Sequence, residues 1–211
     1  MKTLTLCALF LLGISLHGAG FDLKQAVDSS DLIVMGIAKR LQVEDAAKPN
    51  YELKELTIIK GRAEGEIFLS APRDMSDVKN LMPTIDPSLY LFLLKRYDMP
   101  SEAREAGSAH VYQLVNRSGG LLPLKSYCRL IVLQSRTKDK YKVNLYDEAE
   151  QAALLGAIAY YCKASEAAKA GKALTEAELP PLAGRALELY NAVFAAPPSA
   201  PAQSPAPASA K

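Results

Sequence analysis

Leu89-Tyr90-Leu91-Phe92-Leu93-Leu94 places six apolar residues in a row. A strand with one wet face alternates apolar and polar side chains, whereas a short run without alternation belongs at the centre of a sheet. The sequence on either side reads as further short strands between turns. Leu32–Leu41 is a near-continuous apolar strand broken by Gly36, and Tyr51–Lys60 alternates imperfectly through Leu53, Leu56, Ile58 and Ile59. Lys60-Gly61 reads as the next turn and Glu66–Ser70 as another strand. Downstream, His110–Val115 runs through Gly119-Gly120 into Leu121–Leu124 as a hairpin. Tyr127–Gln134 and Lys140–Leu145 form a second hairpin, turned at Thr137–Asp139. Upstream, Asp22 caps a short helix to about Ser29 with Leu23, Ala26 and Val27 facing inward. Many short strands with Gly/Pro turns predict a small antiparallel barrel or sandwich.

The composition changes near residue 147. Residues 149–211 hold 21 of the 32 alanines, so helix-favouring sequence is concentrated there. Asp147-Glu148-Ala149-Glu150 has the form of a capping box, with Asp147 accepting the N3 amide. Leu154, Leu155, Ile158, Tyr161, Cys162 and Ser165 then recur at helical spacing until Gly171 supplies a left-handed C-cap. Thr175 and Glu178 repeat the cap pattern, and Pro180-Pro181 start a last helix through Leu182, Ala186, Leu189, Tyr190 and Val193. Neither helix can bury its stripe alone. The fold class is therefore α+β: a small antiparallel OB-like β-barrel followed by a C-terminal helical pair.

The two ends differ from the middle. Lys2, an apolar run from Leu4 to Leu16 and the small residues Gly18, Ala19 and Gly20 make the pattern of a secretory signal peptide, with cleavage after Ala19 or Gly20. The run is shorter than the roughly 18 residues of a spanning helix, so no transmembrane segment is expected after cleavage. At the other end, Ala195–Lys211 is built from Ala, Pro and Ser with one Gln and one Lys, which cannot offset the entropy of ordering a chain. The expected division is a signal peptide (1–20), a barrel domain (21–145), a helical region packed on the barrel (146–194) and a disordered tail (195–211). The formal net charge of +2 falls to about +1 without Lys2. Nothing in that balance argues for a nucleic-acid partner.

Export leaves Cys128 and Cys162 in an oxidising compartment, which predicts a disulfide between predicted strand and helix. The chain-entropy model gives such a link about 3.8 kcal/mol. The bland reading is two separately buried thiols.

Catalytic patterns mostly fail. His110 is the one histidine outside the leader, and no G-x-S-x-G elbow accompanies it. A zinc site would need three or four ligands from this His, the two Cys and scattered carboxylates, so no metal and no cofactor are expected. Two S-x-x-K matches, Ser76–Lys79 and Ser135–Lys138, lack the S-D-N and K-T-G segments that would make them a site. Asp74, Asp77 and Asp86 lie in the Pro-flanked connection Ala71–Pro87, where a pair of carboxylates could serve a hydrolase but a solvated loop is the simpler reading. Arg136, Lys138, Lys140 and Lys142 gather around the second hairpin, interrupted by Asp139, as exposed turns often do. Asn116-Arg117-Ser118 has the glycosylation form, which matters only in a eukaryotic secretory route.

The order of segments resembles uncharacterised small exported bacterial β-barrel proteins. The resemblance is carried by Ser30-Asp31-Leu32-Ile33-Val34-Met35-Gly36-Ile37, Ile58-Ile59-Lys60-Gly61, Leu89–Leu94, Tyr112-Gln113-Leu114-Val115 and Gly119–Leu124. A similar plan occurs in netrin-like and metalloproteinase-inhibitor barrels of the OB type and implies that fold over about Phe21–Leu124. Those inhibitors bind the target zinc through an N-terminal Cys, whereas here no Cys follows the leader before Cys128. The inhibitory mechanism is therefore not implied. The expected function is an exported, non-enzymatic binding or structural module of the cell envelope, secreted or periplasmic. It would meet an unknown protein or envelope polymer through loops such as Ala71–Pro87 and Asp98–Ala109. The rival readings are a hydrolase using loop carboxylates and a protease-inhibitor-like protein.

Overall fold

The computed structural model describes residues 21–41, 49–63, 65–70, 89–97, 110–116, 120–124, 130–135 and 140–195. Helix α1 (Leu23–Ser29) precedes strands β1 (Leu32–Arg40), β2 (Tyr51–Lys60), β3 (Ile67–Leu69), β4 (Tyr90–Arg96), β5 (His110–Leu114) and β6 (Leu121–Pro123). The ribbon of β7 (Leu130–Gln134) and β8 (Lys140–Asn144), helix α2 (Glu148–Lys169), a 3₁₀ turn at Glu176–Glu178 and helix α3 (Gly184–Val193) follow.

The apolar run of β4 has a reason on each face. Tyr90, Phe92 and Leu94 point into one core with Leu32, Val34, Tyr51, Leu53, Ile67, Leu69, Tyr112, Leu114 and Leu121. Leu91 and Leu93 point the other way, into a second core with α1, β7, β8, α2 and α3. A strand buried on both sides has no position for a polar residue.

The first core is the inside of a closed five-stranded barrel. The strands are ordered β1-β2-β3-β5-β4, and β1 pairs again with β4 to close the circle. Following partners from Arg40 through Tyr51, Leu69, Tyr112 and Arg96 returns to β1 displaced by about ten residues, the stagger that closure imposes on tilted strands. The expected all-antiparallel barrel needs correction, because β3 and β5 run parallel: Ile67 faces His110 and Leu69 faces Tyr112. The 40 residues between Leu69 and His110, with β4 among them, let the chain return to β3's side in the same direction.

The first expected hairpin is also absent. Strands β5 and β6 do not pair with each other; both run antiparallel along one edge of β4, with Leu114 opposite Leu94 and Leu121 opposite Phe92. After β5, Asn116 takes φ of 51°. Gly120 stands just before β6, and a Cβ there would lie 2.7 Å from the Leu93 carbonyl oxygen and from both backbone polar atoms of Val115. No residue with a side chain fits there. The second hairpin is present as β7–β8, but as a separate two-stranded sheet outside the barrel. Phe21 adds to its edge: the Phe21 amide donates to Val132 O, and Gln134 N donates to Phe21 O, each at 2.9 Å.

Strand β1 pairs with β2 along one edge and with β4 along the other. Its register with β2 shifts around Gly36, whose absent side chain admits Lys54 O and the Leu56 methyl at under 3 Å from a would-be Cβ.

The helical layer departs in detail from the sequence expectation. Asp147 accepts from Ala149 N (2.8 Å), the second amide rather than the third, and Glu150 turns away to Arg185. Helix α2 buries Gln151, Ala153, Leu154, Ala157, Ile158 and Cys162 and ends before Gly171 with φ of 64°. Helix α3 starts at Gly184, not at Pro180-Pro181, with Ala183 as a cap that supplies no side-chain acceptor. Two prolines followed by a residue in extended geometry lead into the helix rather than forming its first turn. Among the described residues no helix is long and apolar enough to cross a membrane. The proposed leader (1–20) and residues 196–211 of the tail lie outside the described residues.

Candidate functional site

Three polar features emerge from this frame. The first is a clasp at the end of the barrel beside α1. Strand β2 ends at Lys60, and Gly61 turns the chain with φ of 81° so closely that a Cβ would sit 2.4 Å from Asp31 O. The Lys60 ammonium thereby reaches two carbonyls at the end of α1, Val27 O (2.7 Å) and Ser30 O (2.5 Å). A cation on the carbonyl end of a helix offsets its partial negative charge. Ser30 Oγ donates to Ala26 O (2.6 Å), and Asp31 Oδ2 accepts the Arg96 amide (2.8 Å). The residues of Ser30-Asp31 and Lys60-Gly61 are thus joined in one structural lock.

The second feature links α1 to α2. Tyr161 donates to Asp28 Oδ1 (2.6 Å), and Lys24 reaches Asp28 Oδ2 (2.5 Å) while lying 5.3 Å from the Tyr161 ring centre. Burial opposes ionisation of Asp28, but the Lys24 and Tyr161 hydrogen bonds outweigh it and hold the carboxyl below its usual range. Burial and the bond to Asp28 push the Tyr161 phenol up. The carboxylate stays charged and the phenol stays neutral, the states of a structural contact rather than of a proton shuttle near neutral pH. Cys162 lies next to this group, 3% exposed, and burial pushes its thiol up to about 11.

The third feature is Arg185, which joins Glu150 (2.7 Å), Glu188 (2.9 Å) and the face of Tyr141, 4.7 Å from the ring centre. It fastens α3 to α2 and β8. Lys140 and Lys142 of β8 are exposed, as is Leu130 of β7 at 59%.

Several sequence candidates are described and placed apart. His110 starts β5, half-buried, opposite Ile67. Ser135 is buried, a poor position for a nucleophile. Among the described residues no three His, Cys, Asp or Glu side chains gather as metal ligands. Cys162 is a free thiol, and no disulfide is present among the described residues. Asp74, Asp77, Asp86, Ser76, Lys79, Arg117, Ser118, Cys128, Arg136 and Lys138 lie outside the described residues, as do the loop interiors 71–87 and 98–109. From the sequence, Lys60 was read only as a turn residue and Tyr161 only as part of a helix face, and Asp28 and Arg185 were not singled out. The i,i+4 spacing of Lys24 and Asp28 and the i,i+3 spacing of Arg185 and Glu188 were the local signals; the other contacts join residues 30 or more positions apart.

The chain matches no protein-family model, no curated protein and no solved structure.

Proposed function

We propose that this protein is an exported, non-enzymatic binding or structural module of the cell envelope. The observation that carries the reading is the filled barrel. Phe92, Leu32, Ile67, Leu69 and Leu94 are at most 1% exposed inside it, so a ligand would have to meet outer surfaces and loops. The described carboxylates point the same way. Asp28, Asp31, Glu52, Glu150, Glu178 and Glu188 each engage a lysine, arginine, tyrosine or backbone partner. Export is supported by the leader pattern of Met1–Gly20, and fractionation with N-terminal sequencing tests it: a chain starting near Gly20 or Phe21 outside the cytoplasm is expected. For the oxidised, exported chain the same reading includes a Cys128–Cys162 link. Two alkylatable thiols after non-reducing denaturation reject it. Pull-down from the native envelope fraction tests the binding role, with reproducible retention of a partner expected. Turnover of envelope glycans or peptides by the purified protein would overturn the non-enzymatic reading.

A further inference from the structure

We infer that docking of Phe21 on β7 closes the bond at which the leader is removed, so the folded precursor is not a substrate for the leader peptidase. The inference rests on the export reading and adds a condition to it. The two expected cuts, after Ala19 or after Gly20, make Phe21 the second or the first residue on the product side. Cleavage is a hydrolysis. The amide C–N bond breaks, the hydroxyl of water goes to the leader's carbonyl carbon, and its proton goes to the nitrogen of the new first residue. An enzyme that does this needs backbone near the bond that is exposed and free of other partners.

Phe21 is neither. Its amide donates to Val132 O and its carbonyl accepts from Gln134 N, each at 2.9 Å. Its ring is half-buried against the second core. The same carbonyl accepts Leu23 N (3.0 Å), and Ala26 N donates to Asp22 O (3.1 Å). Asp22 Oδ1 caps α1 through Gln25 N (2.8 Å), and Leu23 is fully buried. The product side thus passes from a strand rung into a capped helix within two residues, which leaves no slack to enter a peptidase cleft. The rung itself survives either cut, because Phe21 N remains a donor, as an amide after the first and as an ammonium after the second. Val132 and Gln134 turn polar groups to Phe21, so the alternate residues of β7 hold β8. Gln134→Pro therefore removes a bond to Phe21 and spares the ribbon's own ladder.

The test compares the full precursor, refolded in detergent micelles, with a synthetic peptide of residues 1–30 in the same micelles. Both are treated with a leader peptidase. The peptide should be cut to a product starting at Gly20 or Phe21. The folded precursor should be cut at least about tenfold more slowly, since cutting then waits for local opening of the rung. Folded Gln134→Pro should come within about threefold of the peptide. Should it misfold, folded Phe21→Ala, compared with its own 1–30 peptide, carries the same decision. Equal rates for wild-type precursor and peptide, or undiminished protection in the folded variant, overturn the inference and leave the export reading in place. A peptide left whole by a peptidase that cuts a control leader rejects the leader, and the inference with it.

Discussion

Phe92 and Leu93 are neighbours in the chain and belong to different cores. Phe92 faces the barrel interior, built entirely by strands β1 to β6. Leu93 faces a layer assembled from α1, the β7–β8 ribbon, α2 and α3. The outer core holds twenty buried residues among those described and the interior twelve, so more of the apolar interior lies between the barrel wall and the layer outside it than within the barrel. Strand β4 belongs to both. The two cores should therefore rise and fall together, although their elements come from opposite ends of the chain.

The strongest way to break that picture is Phe92→Ala beside Leu93→Ala. Losing a fully buried ring should cost about 3–5 kcal/mol, and losing the leucine about 2–5 kcal/mol. Both variants should unfold in denaturant as one transition by far-ultraviolet circular dichroism and by tyrosine fluorescence. A Leu93→Ala protein that loses helix signal first would show that the barrel stands alone. Next in size is Gly61→Ala, at the clasp between the cores. It combines φ of 81° with a Cβ 2.4 Å from Asp31 O, so about 2–3 kcal/mol is expected from urea melts. Wild-type stability would reject the clasp.

Cys162 sharpens the comparison through pH. In the reduced chain burial raises the Cys162 thiol pKa from 9.0 to about 11, so the unfolded state releases its proton first. The contribution is whole below pH 9 and is lost as pH rises toward 11, by up to about 3 kcal/mol. Cys162→Ala should flatten that fall, while Tyr51 and Tyr112, whose hydroxyls burial also raises, keep their share. Parallel stability–pH curves for both proteins would reject the effect. Smallest is Arg185→Met, which removes half-exposed ion pairs at the edge of the outer layer and should cost less than about 1 kcal/mol. A larger loss in thermal melts would make Arg185 central to the helical layer.

Much of the fold was legible because its signals are local. Asp22 capping α1, the Lys60-Gly61 turn, the apolar run of β4 and the end of α2 at Gly171 each follow from a few adjacent residues. The parallel β3–β5 pairing was not legible, since a three-residue strand such as Ile67-Phe68-Leu69 has no sequence mark of its partner's direction. Nor was the shared use of β4's edge by β5 and β6, since two apolar runs flanking Gly119-Gly120 read as a hairpin whether or not they pair with each other. Of the polar contacts, the Lys60 cap is the clearest miss: its lysine was read only as part of a turn, and its acceptors lie 30 and 33 residues upstream.

The seat of Phe21 also concerns the order of folding in time. Its amide and carbonyl pair with Val132 and Gln134, so the start of the described chain has no strand partner until about a hundred later residues have been made. Helix α1 can form as soon as it emerges; its anchor cannot. Barrel closure between β1 and β4 and the docking of Phe21 are both contacts between distant parts of the chain, which makes refolding in milliseconds to seconds the natural scale for this molecule. Phe21 is thus synthesised long before the strand that holds it.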